Sequence, residues 1–219
     1  MTLLICCVCQ DGIVLTADGR SNLLDAYGHS VSTDRLQKIF PHAALPFAIA
    51  NHGENRFQEI PVSNLISELL NFQNASGPQN VINRIVRVLE PKIQAEFASN
   101  TAVDFTAFWV CGPSKYGFEI HEVEWNREKG HVVRKGGLKT VPVYLAGDCR
   151  FAINKYMSEQ IDDEFDASLL KERPVEYGVQ LSDKLYNIVM SDNPPKCGGH
   201  KHQLVVGDAG CRWVTPPSA

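Results

Sequence analysis

The sequence predicts an α+β sandwich: two antiparallel sheets packed face to face, with a helical layer outside each, in one domain spanning residues 1–219. Three observations carry this. Apolar periodicity runs in the order strands, two helices, strands, two helices, strands, so strands far apart in sequence must share sheets and amphipathic helices must cover them. No internal repeat, low-complexity segment or linker divides the chain. A 219-residue chain with 44% hydrophobic residues is long enough to bury a substantial core.

Taken in order, Leu3 to Cys9 and Ile13 to Asp18 are β-rich runs around Gln10-Asp11-Gly12, a hairpin signal in which Asp11-Gly12 could supply two positive-φ turn residues. "SNLLDAYGHS" reads as a loop, and "KIF" and "ALPFAIAN" as two further strands. From Glu54 to Phe72 the spacing is helical, with Leu65, Ile66, Leu69 and Leu70 on one face. After "NASGP" a second amphipathic helix carries Ile82, Ile85, Leu89 and Ile93, kinked or split at Pro91. Strands return at "VDFTAFWVCG", "YGFEIHEVEW", "HVVRK" and "VPVYLAG". A helix is expected from about Cys149 to Gln160, and another from Pro174, which is favourable at a first helical position. The latter carries Leu181, Leu185, Ile188 and Val189; "KHQLVVGD" and "CRWV" then close a hairpin around "DAG".

Composition narrows the function. A net charge of −4, with no clustering of Lys or Arg, argues against a nucleic-acid partner. The longest apolar runs are strand-length, so no membrane span is expected, and no secretory signal is read at the start. Seven cysteines are an odd number, and Cys6 and Cys7 point to opposite faces of one strand, which suits no disulfide framework. A reducing cytoplasm is the expected location. The triplet Cys197, His200 and His202 has no standard zinc spacing and reads as a loop entering a strand. No metal site and no cofactor are expected.

The first hairpin carries the chemistry. A Gln10-Asp11 turn sets Thr2 opposite Gly19, and an Asp11-Gly12 turn sets it opposite Ser21. Either way Thr2 lies beside the stretch that holds Asp18 and Arg20. An initiator Met is generally removed before a small residue, so Thr2 is expected to carry a free α-amine. Such an amine has a pKa of about 7.7–8.0 and can act as base for its own hydroxyl.

These residues carry a resemblance. "T-x(8)-DGIVLTADGR", "KIF" and "AIANHGEN", then "VYLAGDCRFA", "VEYGVQLSDKLYNIVMSD" and "CGGHKHQLVVGDAG", resemble in order the β-type subunits of the proteasome and the bacterial ring protease of the HslV type. Both are N-terminal-nucleophile hydrolases, and the pattern covers nearly the whole chain. The resemblance implies a four-layer αββα sandwich and a threonine protease. It implies Thr2 as nucleophile, Lys38 as the catalytic lysine, Asp18 as its acidic partner, and Asp192 as the acid that orients the terminal amine. Arg20, Asn22, Asn51 and Gly53 become oxyanion or substrate-binding candidates; Arg20 also suits a structural ion pair, and either Asn51 or Gly53 could give the oxyanion N–H. Homo-oligomeric stacked rings of six or seven subunits, protein or peptide substrates and an ATPase unfoldase are the implied partners.

The sequence also departs from that pattern. Asp148 stands where the family has a serine near the amine, and a carboxylate there would favour the protonated amine. The serine expected after Asp192 is missing, with Pro194, Pro195 and Lys196 in its region, and position 3 is Leu. The alternatives are a ring-forming scaffold with weak or no turnover and a non-peptide amidase of the same fold.

Overall fold

In the computed structural model, residues 2–24, 30–71, 73–74, 77–128, 130–137, 142–147, 167–192 and 197–217 are described. Strands β1 (Leu4–Val8), β2 (Gly12–Ala17), β12 (Val143–Ala146), β13 (His202–Gly207) and β14 (Gly210–Thr215) form one antiparallel sheet in the order β12-β1-β2-β13-β14. A second has the order β11-β10-β9-β6-β5, from β5 (Ile39–Pro41), β6 (Ala48–Gly53), β9 (Phe105–Ser114), β10 (Gly117–Asn126) and β11 (Gly130–Gly137). The α-helices among the described residues are α1 (Val62–Leu69), α2 (Pro78–Ser99) and α3 (Val175–Asp192).

Alternation along β1 builds the layers. Leu4, Cys6 and Val8 join Trp109, Cys111 and Ile120 between the sheets, while Leu3, Ile5, Cys7 and Cys9 pack with Leu181, Leu185 and Val189 of α3. A third cluster places Ile82, Ile85, Leu89 and Ile93 of α2 against Phe108, Val123 and Trp125. Helix, sheet, sheet, helix is therefore the layer order, and each buried aliphatic side chain contributes roughly 1.5–3 kcal/mol of transfer free energy. Because β1 is buried on both faces, its sequence is an unbroken apolar run rather than an alternating one.

The fold and layer order match the sequence reading, and three local expectations need correction. Of the two turns left open, Gln10-Asp11 is the one formed, since Cys9 N donates to Gly12 O (2.8 Å) and neither Asp11 nor Gly12 has positive φ. Asp11 is used elsewhere: its Oδ1 accepts the Val175 N–H (2.9 Å) at the start of α3, satisfying a donor the helix cannot. Part of "SNLLDAYGHS" is a strand, because β3 (Ser21–Leu24) pairs with β4 (Ser30–Thr33). The helix expected from Glu54 begins only at Val62. Before it, β7 (Arg56–Phe57) and β8 (Ile60–Pro61) form a two-stranded turn through Gln58 and Glu59, both at positive φ. Helix α2 runs unbroken through Pro91 and is not split. The helix expected from Cys149 to Gln160, Met1, Asp148, Pro194, Pro195 and Lys196 lie outside the described residues, as do the side chains of Asn22 and Asp192.

Candidate active site

The β1–β2 ladder pairs Leu4 with Ala17 and, continued two residues, sets Thr2 opposite Gly19. Asp18 is thereby held beside the first strand: its N–H donates to the Leu3 carbonyl (3.2 Å), and its Oδ1 accepts the Leu3 N–H (2.7 Å). The carboxylate is fully buried and saturated with donors. Lys38 Nζ donates to Oδ1 at 2.6 Å, and the Gly198 and Arg20 N–H groups donate to Oδ2 at 3.2 and 3.3 Å. Lys38 is itself 2% exposed and also donates to the Arg20 carbonyl (2.7 Å). Burying both charges costs several kcal/mol per ion, and only close pairing with full hydrogen bonding offsets this.

Lys38 lies where the chain enters β5, so the β5–β6 ladder carries it to the second sheet. Asn51 N donates to the Lys38 carbonyl (3.0 Å), which occupies one of the two N–H groups considered for an oxyanion. Backbone N–H groups alternate along a strand, and Glu54 N donates the other way, to Phe105 O on β9 (3.2 Å). The N–H of Gly53, between them in this alternation, points toward the Lys38 side, past the end of β5. Thr2, Lys38, Asn51 and Gly53 line one cleft of about 310 Å³. Thr2 is only 6% exposed.

Gly147, at the end of β12, fixes the other flank of Thr2. It has φ +100°, and a Cβ there would overlap the Thr2 carbonyl oxygen. The sequence reading passed over this glycine in favour of its neighbour Asp148. His52, between Asn51 and Gly53, was also missed; it lines the cleft with Nε2 3.5 Å from Glu122 Oε1 and its ring centroid 5.3 Å from that of Phe105. Burial alone would raise the Glu122 pKa, yet the nearby His52 ring and hydrogen bonds from Trp109 and Arg134 outweigh it and hold the carboxyl at about 2.

The remaining candidates divide. Arg20 gives its carbonyl to Lys38, while its guanidinium pairs with Asp34 (Nε–Oδ1 2.7 Å) and donates to the Cys197 carbonyl (3.3 Å). This is the structural ion pair, and Arg20 is not among the residues lining the cleft. Asn22 pairs through its backbone with Ser32 in the β3–β4 hairpin, and its neighbour Ser21 lines the cleft. Asp192 ends α3.

His200 Nε2 donates to the Pro216 carbonyl (2.7 Å), and no group of three His, Cys, Asp or Glu among the described residues is placed to hold a metal. His202, read in the sequence only as part of a loop entering a strand, begins β13. It lies opposite Ala17, fully buried, with both ring nitrogens unpartnered among the described residues. Burial, together with the charges of His200 and Lys38, pushes its pKa down to about 4, against a smaller opposing effect of Asp18.

The arrangement places a hydroxyl, a fixed buried cation and a backbone N–H around one open space. That combination can stabilise an alkoxide and a developing oxyanion.

No protein-family model and no curated protein matches the chain. Solved structures do. The Anbu (Gly-1) mutant from Hyphomicrobium sp. strain MC1 superposes with a TM-score of 0.62 at 14% identity, over 98% of this chain and 88% of that one. Anbu (ancestral beta-subunit) from Yersinia bercovieri gives 0.63 at 12% identity, over 97% and 87%. The likeness extends over nearly the whole chain and shows a proteasome-like fold.

Proposed function

We propose that the protein is a threonine-type peptide hydrolase in which Thr2, freed by cleavage after Met1, is the nucleophile. The observation that carries this reading is the buried Lys38–Asp18 pair on the cleft that Thr2 and Gly53 line. Thr2 Oγ attacks the substrate carbonyl carbon, and the hydroxyl proton passes to the α-amine, directly or through water. The Gly53 N–H receives the resulting oxyanion, and the Lys38 ammonium lowers the cost of the alkoxide. Collapse expels the amine leaving group, which takes the proton, and leaves an ester on Thr2. Water, deprotonated by the same α-amine, then releases the acid. Asp18 keeps Lys38 charged and in place. Asp192 is proposed to orient the amine, and Asp148 to modulate its basicity.

The proteasome-like fold supports a further part of the reading: stacked homo-oligomeric rings in the cytoplasm that confine these sites, act on proteins or peptides and are served by an ATPase unfoldase. Among the described residues no helix is long and apolar enough to cross a membrane.

The test is labelling with a peptide epoxyketone or β-lactone, followed by intact mass and peptide mapping. An adduct on Thr2 that disappears in Thr2→Ala is the expected result. Met1 retained on the folded protein, or no adduct once Met1 is gone, would replace the enzyme by a ring-forming scaffold. Turnover of small amides but not peptides would make it an amidase of another kind.

A further inference from the structure

We propose that His52, backed by Glu122, is a second proton acceptor of this site and activates the water that hydrolyses the Thr2 ester. This rests on the hydrolase reading above and gives the water step a base that serves when the α-amine is protonated, the form a carboxylate at position 148 favours.

The second sheet brings the two residues together. His52 on β6 lies opposite Ala107 of β9, and Ala107 lies opposite Glu124 of β10; Trp109 and Glu122 form the next pair on the same face. The small side chain of Ala107 lets His52 and Glu122 meet across β9. His52 is 7% exposed, and its Nε2 is shut off from solvent, 3.5 Å from Glu122 Oε1 and without a hydrogen bond among the described residues. Nδ1 is not shut off in this way and the ring lines the cleft, so Nδ1 is the nitrogen turned to the open space. Phe105 and Trp109 pack on the ring, with centroids 5.3 and 5.9 Å away.

Glu122 fixes which nitrogen carries the proton. Its Oε1 accepts the Trp109 indole N–H (2.9 Å) and its Oε2 accepts the Arg134 guanidinium (3.0 Å). With a pKa of about 2 the carboxyl is ionised and can only accept. Nε2 therefore bears the hydrogen, and Nδ1 presents its lone pair to the cleft. A separation of 3.5 Å is long for a hydrogen bond, as catalytic contacts without substrate commonly are, and it tightens once the ring is charged. A histidine that only tied β6 to β10 would have no use for a ring nitrogen open to the cleft.

Reach is sufficient, because His52 directly precedes Gly53, whose N–H holds the ester carbonyl oxygen in the reading above. A water that donates to Nδ1 at about 2.8 Å and attacks from about 3 Å spans roughly 6 Å, enough to join one side chain to a carbonyl held by the next residue's N–H. The water oxygen bonds to the ester carbon, its proton passes to Nδ1, and Glu122 pairs with the imidazolium. The tetrahedral intermediate then expels Thr2 Oγ, which takes the proton from Nδ1, and the acid leaves.

The test uses single turnovers of acetyl-Ala-Ala-Leu 4-nitrophenyl ester, whose leaving group needs no proton, with the full chain in excess and Thr2→Ala as background. Release of nitrophenolate reads acylation, and decay of the Thr2 adduct by intact mass reads hydrolysis. In His52→Gln, hydrolysis should slow about 100-fold and acylation less than about threefold; in Glu122→Gln, hydrolysis should slow about tenfold. Added imidazole should restore hydrolysis in His52→Ala, a gain that a misfolded variant could not give. Hydrolysis at the original rate in His52→Gln, equal slowing of both phases, or no imidazole effect in His52→Ala that still acylates overturns the proposal and leaves the hydrolase reading standing. No release above background by the unsubstituted protein, once Met1 is gone, removes both.

Discussion

Replacing Lys38 by Met keeps an unbranched stem of similar length and deletes the ammonium. The structure fixes what is lost. Asp18 is fully buried and Lys38 is 2% exposed, so neither charge is screened by water. At 2.6 Å and an effective dielectric of about 20, their gross attraction is about 6 kcal/mol, much of which offsets desolvation. Removing one member of a buried pair costs roughly 3–5 kcal/mol, because the other is left uncompensated.

Lys38→Met should fall near the lower end, about 3 kcal/mol, since Asp18 retains the N–H groups of Leu3, Arg20 and Gly198. Asp18→Asn should fall near the upper end. Its amide must point either at Lys38 and the Leu3 N–H or at the Gly198 and Arg20 N–H groups, so donor meets donor in both orientations. For a chain of this length each kcal/mol is about 2–4 °C, so Lys38→Met should lower Tm by about 6–12 °C.

Urea and thermal unfolding at pH 7, followed by circular dichroism, measure both variants, and Thr2 labelling measures the site. With Lys38→Met still folded at the assay temperature, labelling should slow at least about 100-fold, as when a preorganised charge partner is removed. A loss below about 1 kcal/mol, or Asp18→Asn more stable than Lys38→Met, would refute the view that this pair is desolvated and saturated. Normal labelling of Lys38→Met would remove the lysine from the chemistry.

Two further outcomes test the surroundings. His202 has a folded pKa of about 4 against 6.5 when unfolded, so the unfolded chain binds the proton first. Its contribution is complete above about pH 6.5 and is lost as pH falls toward 4, by up to roughly 3 kcal/mol, a dependence that unfolding of His202→Leu across this range should lack; an identical acid limb in that variant would contradict the assignment. Gly147→Ala combines a positive-φ penalty with overlap on the Thr2 carbonyl, so its Thr2 should label at least tenfold more slowly while the far-ultraviolet spectrum is retained; an unchanged rate would show that β12 does not position the terminus.

What was legible in the sequence follows the range of the interaction. The first hairpin needs only alternation and a turn, and it already places Thr2 beside Asp18. Lys38 is found only through the resemblance carried by "KIF"; the strand pattern around it says where β5 begins and nothing of the lysine's role. What the sequence leaves open or misreads lies where a distant contact decides. Asp11-Gly12 has the chemistry of a positive-φ turn, but Asp11 accepts the Val175 N–H of α3, and Gln10-Asp11 is the turn that forms. The segment after Glu54 has helical spacing, yet Glu54 folds onto the N–H groups of Asn55 and Arg56, and a turn at Gln58 and Glu59 intervenes with neither Gly nor Asn to announce it. Gly147 and His52 stand inside the quoted segments "VYLAGDCRFA" and "AIANHGEN", yet nothing local marks them. They line the cleft only once β12 pairs with β1 and β6 with β9.

That dependence explains why an expensive ion pair is tolerated at this place. Asp18 and Lys38 flank strands of different sheets, β2 and β5, and the three N–H groups on Asp18 come from the residue before β1, from the residue after Gly19 and from the loop before β13. The Gly198 N–H, far away in sequence, and the Lys38 ammonium, carried by the other sheet, are not in place until the long-range pairings have formed, a slow step relative to local turns and helices. Before that point the two charges are better solvated apart. After it they have no water to return to, and separating the sheets near β5 would expose a carboxylate and an ammonium to an incomplete set of partners. The pair therefore adds little net stability but penalises partly packed arrangements of the two sheets. A site at that junction can form only in the completed sandwich, so Thr2 and the Lys38 ammonium come to line one cleft only after the chain is folded.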